Sequence, residues 1–226
     1  MPRVHNRFRF LDLLTALNVT FLLVSDFTGA RIVGIDGVGI SVTVLYFPLT
    51  YLIGNILTEV YGYAQSRRVI WICMFCSILG SAVAAGQLYV PAATFFTANA
   101  AYTTVFSPSL KISIAGLVAF FIGDICNSYV LAKMKVWDKG QRLWARFVAS
   151  AIAGEGVNTI LFYGIALRTV LPQRVLLMSI LLGWAVKVLV EVILLPVSYA
   201  VVRSLKKTEG VDHYDSDTNF NPFYFA

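Results

Sequence analysis

GLVAFFIGDICNSYVLA (116–132) decides what kind of molecule this chain is. The stretch is apolar over most of a bilayer crossing, yet it carries a carboxylate, Asp124, near its middle and a polar pair, Asn127 and Ser128, just beyond. A membrane helix needs about 20 largely apolar residues, and runs of that kind recur on both sides of this one. They predict six spans: Phe10–Thr28, Val38–Gly62, Arg68–Leu88, Lys111–Lys133, Trp144–Leu167 and Leu177–Val202. The composition agrees. Of 226 residues 58% are apolar or aromatic and 13% charged, about half the charge of a soluble domain, and the mean hydropathy is +0.74. Sixteen Phe, eleven Tyr and four Trp exclude a disordered chain. The expected architecture is an all-α membrane protein, with a six-helix transmembrane domain over residues 1–205 and a disordered cytoplasmic tail over 206–226. No cleavable signal is expected ahead of the first span.

Thirteen Lys and Arg fall in four segments that an even number of spans puts on one side. They are Arg3, Arg7 and Arg9; Arg67 and Arg68; Lys133, Lys135, Lys139, Arg142 and Arg146; and Arg203, Lys206 and Lys207. Only Arg31, Lys111, Arg168 and Arg174 fall on the other side, and Lys187 lies within the last span. The positive-inside rule then makes both termini cytoplasmic. The net charge of +6 is a matter of topology, so no nucleic-acid partner is implied. The uncharged, aromatic stretch Tyr89–Leu110 falls outside, where it serves as an interfacial anchor or folds back over the helices.

The polar residues within the spans point to function. An ionisable group in hydrocarbon costs roughly 2.5–3.5 kcal/mol on insertion scales. Asp124, Glu155, Lys187 and Glu191 all lie near mid-span, and together they would cost on the order of 12 kcal/mol if they faced lipid, as much as a whole domain's stability. They are therefore expected to point inward. Helical spacing adds to this. Asp124, Asn127 and Ser128 stand at i, i+3 and i+4, as do Glu155, Asn158 and Thr159, and Asn55, Thr58 and Glu59, while Lys187 and Glu191 stand at i and i+4. Each set shares one helix face, so four helices with narrow polar stripes describe a bundle around a polar mid-membrane chamber. For Asn18, Thr15 and Gln87 an interhelical hydrogen bond of about 0.6 kcal/mol is the better account. Ser, Thr or Gly would meet that need without the cost of Asp124, Glu155 or Lys187.

Other chemistries lack their residues. His5 and His213 both lie in the tails, so an intramembrane His-based protease has no base, and there is no GxxxxGK[ST] loop. Cys73 and Cys76 have CxxC spacing in apolar surroundings, which reads as helix packing, with no metal, cofactor or enzyme activity expected.

The runs FPLTYLIGNILTEVYGY (47–63), RRVIW (67–71), FFIGDICNSYVLAKMK (120–135), LWARFVASAIAGEGVNTILFY (143–163) and KVLVEVILLPVSY (187–199) together resemble the bacterial queuosine-precursor transporter family, also called the vitamin-uptake-like-transporter family. The resemblance covers about Leu11 to Val202. It implies a six-helix inner-membrane importer of 7-cyano-7-deazaguanine and 7-aminomethyl-7-deazaguanine for tRNA queuosine salvage. The positions matching its motifs are Asn55, Thr58, Glu59, Asp124, Asn127, Glu155, Asn158 and Lys187.

A guanine-like edge has two adjacent N–H donors that one carboxylate accepts as a pair. Glu155 or Asp124 is expected to take that edge, with Glu59 and Glu191 as further acidic candidates. Lys187, Asn127, Asn158 or Asn55 would serve the ring carbonyl. Tyr46, Phe47, Tyr51, Phe121 or Tyr163 would stack on the ring. The expected partners are the deazapurine and the lipid bilayer, with a homodimer as one compatible assembly. A rival reading is a substrate-capturing membrane subunit that draws energy from a separate ATPase. Another is a purely structural membrane protein.

Overall fold

A computed structural model describes residues 8–29, 31–35, 38–106, 110–168 and 172–224; Arg3, Arg7 and His5 lie outside them. Among the described residues seven α-helices follow one another: α1 (Leu11–Thr28), α2 (Pro48–Tyr61), α3 (Tyr63–Gly86), α4 (Asn99–Phe106), α5 (Leu110–Trp137), α6 (Leu143–Ala166) and α7 (Gln173–Glu209). Five of them, α1, α3, α5, α6 and α7, are long and apolar enough to cross a bilayer.

The region expected to form one continuous second span is built differently. A short antiparallel hairpin, β1 (Ile32–Ile35) and β2 (Val38–Ser41), pairs Ile32 with Ser41 and Gly34 with Gly39. A 3-10 turn over Val42–Leu45 follows, and then the 14 residues of α2. The local sequence accounts for the break. Glycines and β-branched residues crowd 32–44 and disfavour a helix, while Pro48 takes the first helical turn, where its missing N–H costs nothing. At about 21 Å, α2 is shorter than the roughly 30 Å hydrocarbon layer. Every residue of α2 except Leu49 is buried, because the helix is packed against α1, α3, α5, α6 and α7. Irregular backbone at membrane depth is tolerated where protein covers it in this way.

α2 ends at Gly62, whose φ of 86° and ψ of 168° suit only glycine. The chain then turns straight into α3. α5 and α6 cross with almost no gap. An added Cβ on Gly123 would lie 3.0 Å from the Gly154 carbonyl, and one on Gly154 would lie 3.0 Å from the Gly123 carbonyl. Pro196 sits inside α7, where it leaves the Val192 carbonyl without its helical donor.

The end of the chain corrects the expectation of a disordered tail. α7 runs to Glu209, which accepts hydrogen bonds from the Arg9 and Phe10 amides (3.0 and 2.8 Å) and the Tyr61 hydroxyl (2.9 Å), tying the start of α1 to the end of α2. Residues 210–224 then form a strap across the α2–α3 joint. The His213 amide donates to Val60 O, and Asp215, buried, accepts the first amide of α3, from Tyr63, on both carboxylate oxygens (3.1 and 3.0 Å). Arg67 donates to the carbonyls of Asn219 and Asn221, Trp71 donates to that of Pro222, and Lys133 lies 4.0 Å from the Phe220 ring. An acidic, aromatic segment reads as disorder by composition, but the cations and orphan amides at this end of the bundle give it partners.

At the opposite end α4 has no buried residue and leans on α1 through Phe27 and Phe106, 5.8 Å apart. It lies apart from the core.

Asp215→Ala removes a cap on α3, so it should lower stability by about 0.5–2 kcal/mol, read as a lower melting temperature in detergent. Burial pushes the Asp212 carboxyl up, but hydrogen bonds from Lys135 and Lys206 outweigh it and hold the pKa below the ordinary 3.8. A depressed native pKa means that this anchor contributes fully above the ordinary value and is lost as the pH falls through the native one. Pepsin cleavage between residues 210 and 224 should therefore begin only at pH values below 3.8.

Candidate functional site

Two polar clusters lie within the bundle, and they differ in kind. The first is at the end where the strap sits. Glu59, fully buried, receives Arg146 on both oxygens (Nε to Oε2 2.8 Å, Nη2 to Oε1 2.9 Å) and Lys206 on Oε1 at 2.6 Å. Lys135 lies 3.6 Å from the same oxygen and donates to the Glu59 carbonyl, to Asp212 and to the His213 carbonyl. Arg146 extends its other nitrogen to Asp138 at 3.0 and 3.2 Å. Three acids, Glu59, Asp138 and Asp212, thus face three bases, Lys135, Arg146 and Lys206. Neither oxygen of Glu59 is left unpaired. This is a balanced, saturated knot that binds α2, α5, α6, α7 and the strap, and it accounts for Glu59 structurally.

The second cluster begins about one helical turn further in, at Asn55. Its carboxamide joins four helices. It donates to Glu191 Oε2 of α7 (3.1 Å) and accepts from Asn127 of α5 (2.9 Å) and Ser150 of α6 (3.0 Å). On the neighbouring face Lys187 of α7 donates to Glu155 Oε2 (2.9 Å) and to Asn158 Oδ1 (2.8 Å), both on α6. The Lys187 ammonium also lies 4.6 Å from the centre of the Phe47 ring, at the start of α2. Asp124 Oδ1 comes within 3.7 Å of where a Cβ on Gly54 would stand, and Asn127 Nδ2 within 3.9 Å of the same point. Asp124, Glu155, Glu191 and Tyr51 interact electrostatically with one another. Tyr51 is wedged at the Gly123–Gly154 crossing, where its hydroxyl donates to the Gly154 carbonyl at 3.4 Å.

The cluster is buried and unsaturated. Asp124, Asn127 and Glu155 are fully buried, and Asn158, Lys187 and Glu191 nearly so. Among the described residues, both oxygens of Asp124, Oε1 of Glu155, Oε1 of Glu191, Oδ1 of Asn127 and the hydroxyls of Thr159 and Ser179 are buried without a hydrogen-bond partner. Such atoms are rare in folded proteins, and each costs roughly 1–3 kcal/mol. Six of the seven lie on Asp124, Asn127, Glu155, Thr159 and Glu191, beside the Glu155–Lys187 ion pair.

Of the thirteen residues selected from sequence, Asp124, Asn127, Glu155, Asn158, Lys187, Glu191, Asn55, Tyr51 and Phe47 meet here, while the Tyr46 hydroxyl bonds to Thr28. Tyr163 stands at the edge, with its hydroxyl 3.5 Å from a Cβ built on Gly183. Glu59 belongs to the other cluster. Phe121 faces away, against Trp71 and Phe223 (4.9 and 6.0 Å). The expected chamber is closed, because its side chains bond to one another; the crevice beside Glu191, lined by Leu52, Phe147 and Leu195, is too narrow for water. Sequence reasoning passed over Ser150 and Ser179, whose hydroxyls barely register in hydropathy. It also read Arg146 and Lys135 as loop charges, though both are buried. Only the i+4 spacing of Ser150 from Gly154 could have drawn attention to it.

The profile of the family described as "Putative vitamin uptake transporter" matches residues 41–201. Over 179 residues the chain is 25% identical to the "Probable queuosine precursor transporter" of Bacillus subtilis (strain 168), covering 74% of this chain and 78% of that protein. Over 160 residues it is 23% identical to the "Queuosine precursor transporter" of Escherichia coli (strain K12), covering 71% and 70%. No solved structure matches the chain.

Arg146→Met should destabilise the protein by about 3–5 kcal/mol, because it leaves the buried Glu59 Oε2 without a donor and Asp138 without its base. The double variant Glu59→Gln/Arg146→Met should recover part of that loss, as measured by thermal unfolding in detergent.

Proposed function

The chain belongs to the vitamin uptake transporter family, and on that premise we propose that it imports queuosine precursors of the 7-deazaguanine class across a bacterial inner membrane. It is a multi-pass membrane protein of a transporter family, not an enzyme. In this reading α2 with its hairpin serves as the second of six crossings, and both termini are cytoplasmic. Contacts of Glu209 with the start of α1, and of the strap with α3 and α5, bring four cation-rich segments to one end of the bundle, the end that the positive-inside rule assigns to the cytoplasm.

The observation that carries the substrate reading is the Glu155–Lys187–Asn158 group under the Phe47 ring. The unpaired Glu155 Oε1 can turn with Oε2 toward the adjacent ring N–H and amino group of a guanine-like edge. Lys187, once shared with the ligand, donates to the ring carbonyl. Phe47 offers a flat face for stacking. Helices must part to admit the base, and the α5–α6 crossing at Gly123 and Gly154, with Tyr51 between them, borders the site on one side. The rival reading, a capture subunit driven by a separate ATPase, uses the same residues for binding and differs only in what the isolated chain can do.

Purified protein in liposomes should accumulate radiolabelled 7-deazaguanine precursor without ATP or any partner. Glu155→Gln should weaken binding at least ~10-fold, the loss expected for a charge-assisted pair. Binding without uptake would favour the capture subunit. Neither binding nor uptake of any 7-deazaguanine would refute the proposal.

A further inference from the structure

The two polar clusters differ in one respect that bears on which ligand the inner one takes. At the strap end acids and bases balance, and Glu59 spends both oxygens. In the inner cluster three acids, Asp124, Glu155 and Glu191, face a single base, Lys187, among the described residues. That base is already engaged by Glu155 Oε2 and Asn158 Oδ1.

The neutral donors are engaged in part. Asn55 gives its amide N–H to Glu191, Asn127 gives its own to Asn55, and Ser150 gives its hydroxyl to Asn55 or to the Phe147 carbonyl. Among the described residues, the buried atoms of this cluster with no partner at all are mostly acceptors: both oxygens of Asp124, one each of Glu155 and Glu191, and the Asn127 carbonyl oxygen, against two hydroxyls, Thr159 and Ser179. A neutral guanine-like edge supplies two or three N–H donors, enough for Glu155 and no more. Both oxygens of Asp124 and Oε1 of Glu191 would stay buried without a donor, which is costly for carboxylates in a low-dielectric interior.

We propose that the inner cluster selects a ligand that carries a protonated amine in addition to its heterocyclic donor edge, with Asp124 and Glu191 receiving the ammonium while Glu155 receives the ring. The inference rests on the reading of this cluster as a 7-deazaguanine site and specifies its substrate: the aminomethyl-bearing base over the nitrile-bearing one. An ammonium brings three N–H donors and one positive charge, meeting the unpartnered carboxylate oxygens and reducing the excess of negative charge together. The groups facing Asp124 agree with this. They are Tyr51 from α2, Cys73 from α3, Glu155 from α6 and Glu191 from α7, and none of them is a cation. Lys187 is paired on the Glu155 side.

The test is equilibrium binding to the purified full-length protein at pH 7 with three probes: 7-aminomethyl-, 7-cyano- and 7-carboxy-7-deazaguanine. The aminomethyl base should bind at least tenfold more tightly than the cyano base, and the carboxy base most weakly. Asp124→Asn and Glu191→Gln should each shrink the aminomethyl-to-cyano ratio at least threefold. If a variant does not fold, the order of the three probes on the unaltered protein decides. Equal or tighter binding of the cyano base would overturn the inference while leaving the transporter reading intact. So would tight cyano binding accompanied by proton uptake from a weakly buffered medium, since protons would then neutralise the acids. Failure of all three probes to bind would bring down the 7-deazaguanine reading, and this inference with it.

Discussion

One carboxamide holds the bundle's centre together. Asn55 donates to Glu191 and accepts from Asn127 and Ser150, so α2, α5, α6 and α7 converge on a single side chain. In hydrocarbon a polar group without a partner is costly, and each of these four would be one without the others. The cost is avoided only if the helices stand in one register. That register in turn places Glu155 beside Lys187 and Asp124 near Gly54. The buried, discontinuous α2 follows from the same constraint. A short helix with a polar stripe cannot face lipid, so longer helices cover it, and once covered it no longer needs to span the layer alone.

The pair of clusters divides the work of the polar residues. The outer knot is charge-balanced and hydrogen-bonded throughout, and the strap supplies part of it through Asp212 and the His213 carbonyl. It holds the ends of α2, α5, α6 and α7 together, next to the joint at Gly62. The inner cluster is acid-rich and keeps unpaired acceptors. Glu59 has partners in the fold for both oxygens, whereas Glu155 keeps one oxygen without any. That contrast separates Glu59 from Glu155 more clearly than their depth in the membrane does.

Most of the inner cluster was legible in the sequence because two independent signals coincide there. Asp124, Glu155, Lys187 and Glu191 violate the hydropathy of their spans, and Asn55, Asn127 and Asn158 fall on the same helical faces at i+3 and i+4 spacing. Glu59 gave the same two signals, since a charge on a stripe looks alike whether a ligand or Arg146 completes it. Phe121 was selected for its ring alone, and ring orientation depends on which neighbours surround the helix, here Trp71 and Phe223. The strap was illegible for a related reason. Its acidic and aromatic residues order only against Lys135, Arg67 and the open amide of Tyr63, partners 75 or more residues away in the chain.

The sequence by itself determined that this chain lives in a membrane, where its long helices lie, and which ionisable residues must turn inward, because hydropathy and helical periodicity are local and the cost of charge in hydrocarbon is large. Only the tertiary structure decided that the region expected as a second span is a hairpin and a short buried helix, that Glu59 is tied up by Arg146 and Lys206, and that acceptors of Asp124 and Glu191 are left without partners. Those outcomes depend on which side chains meet across helices, and pairing at a distance leaves no periodic trace along the chain.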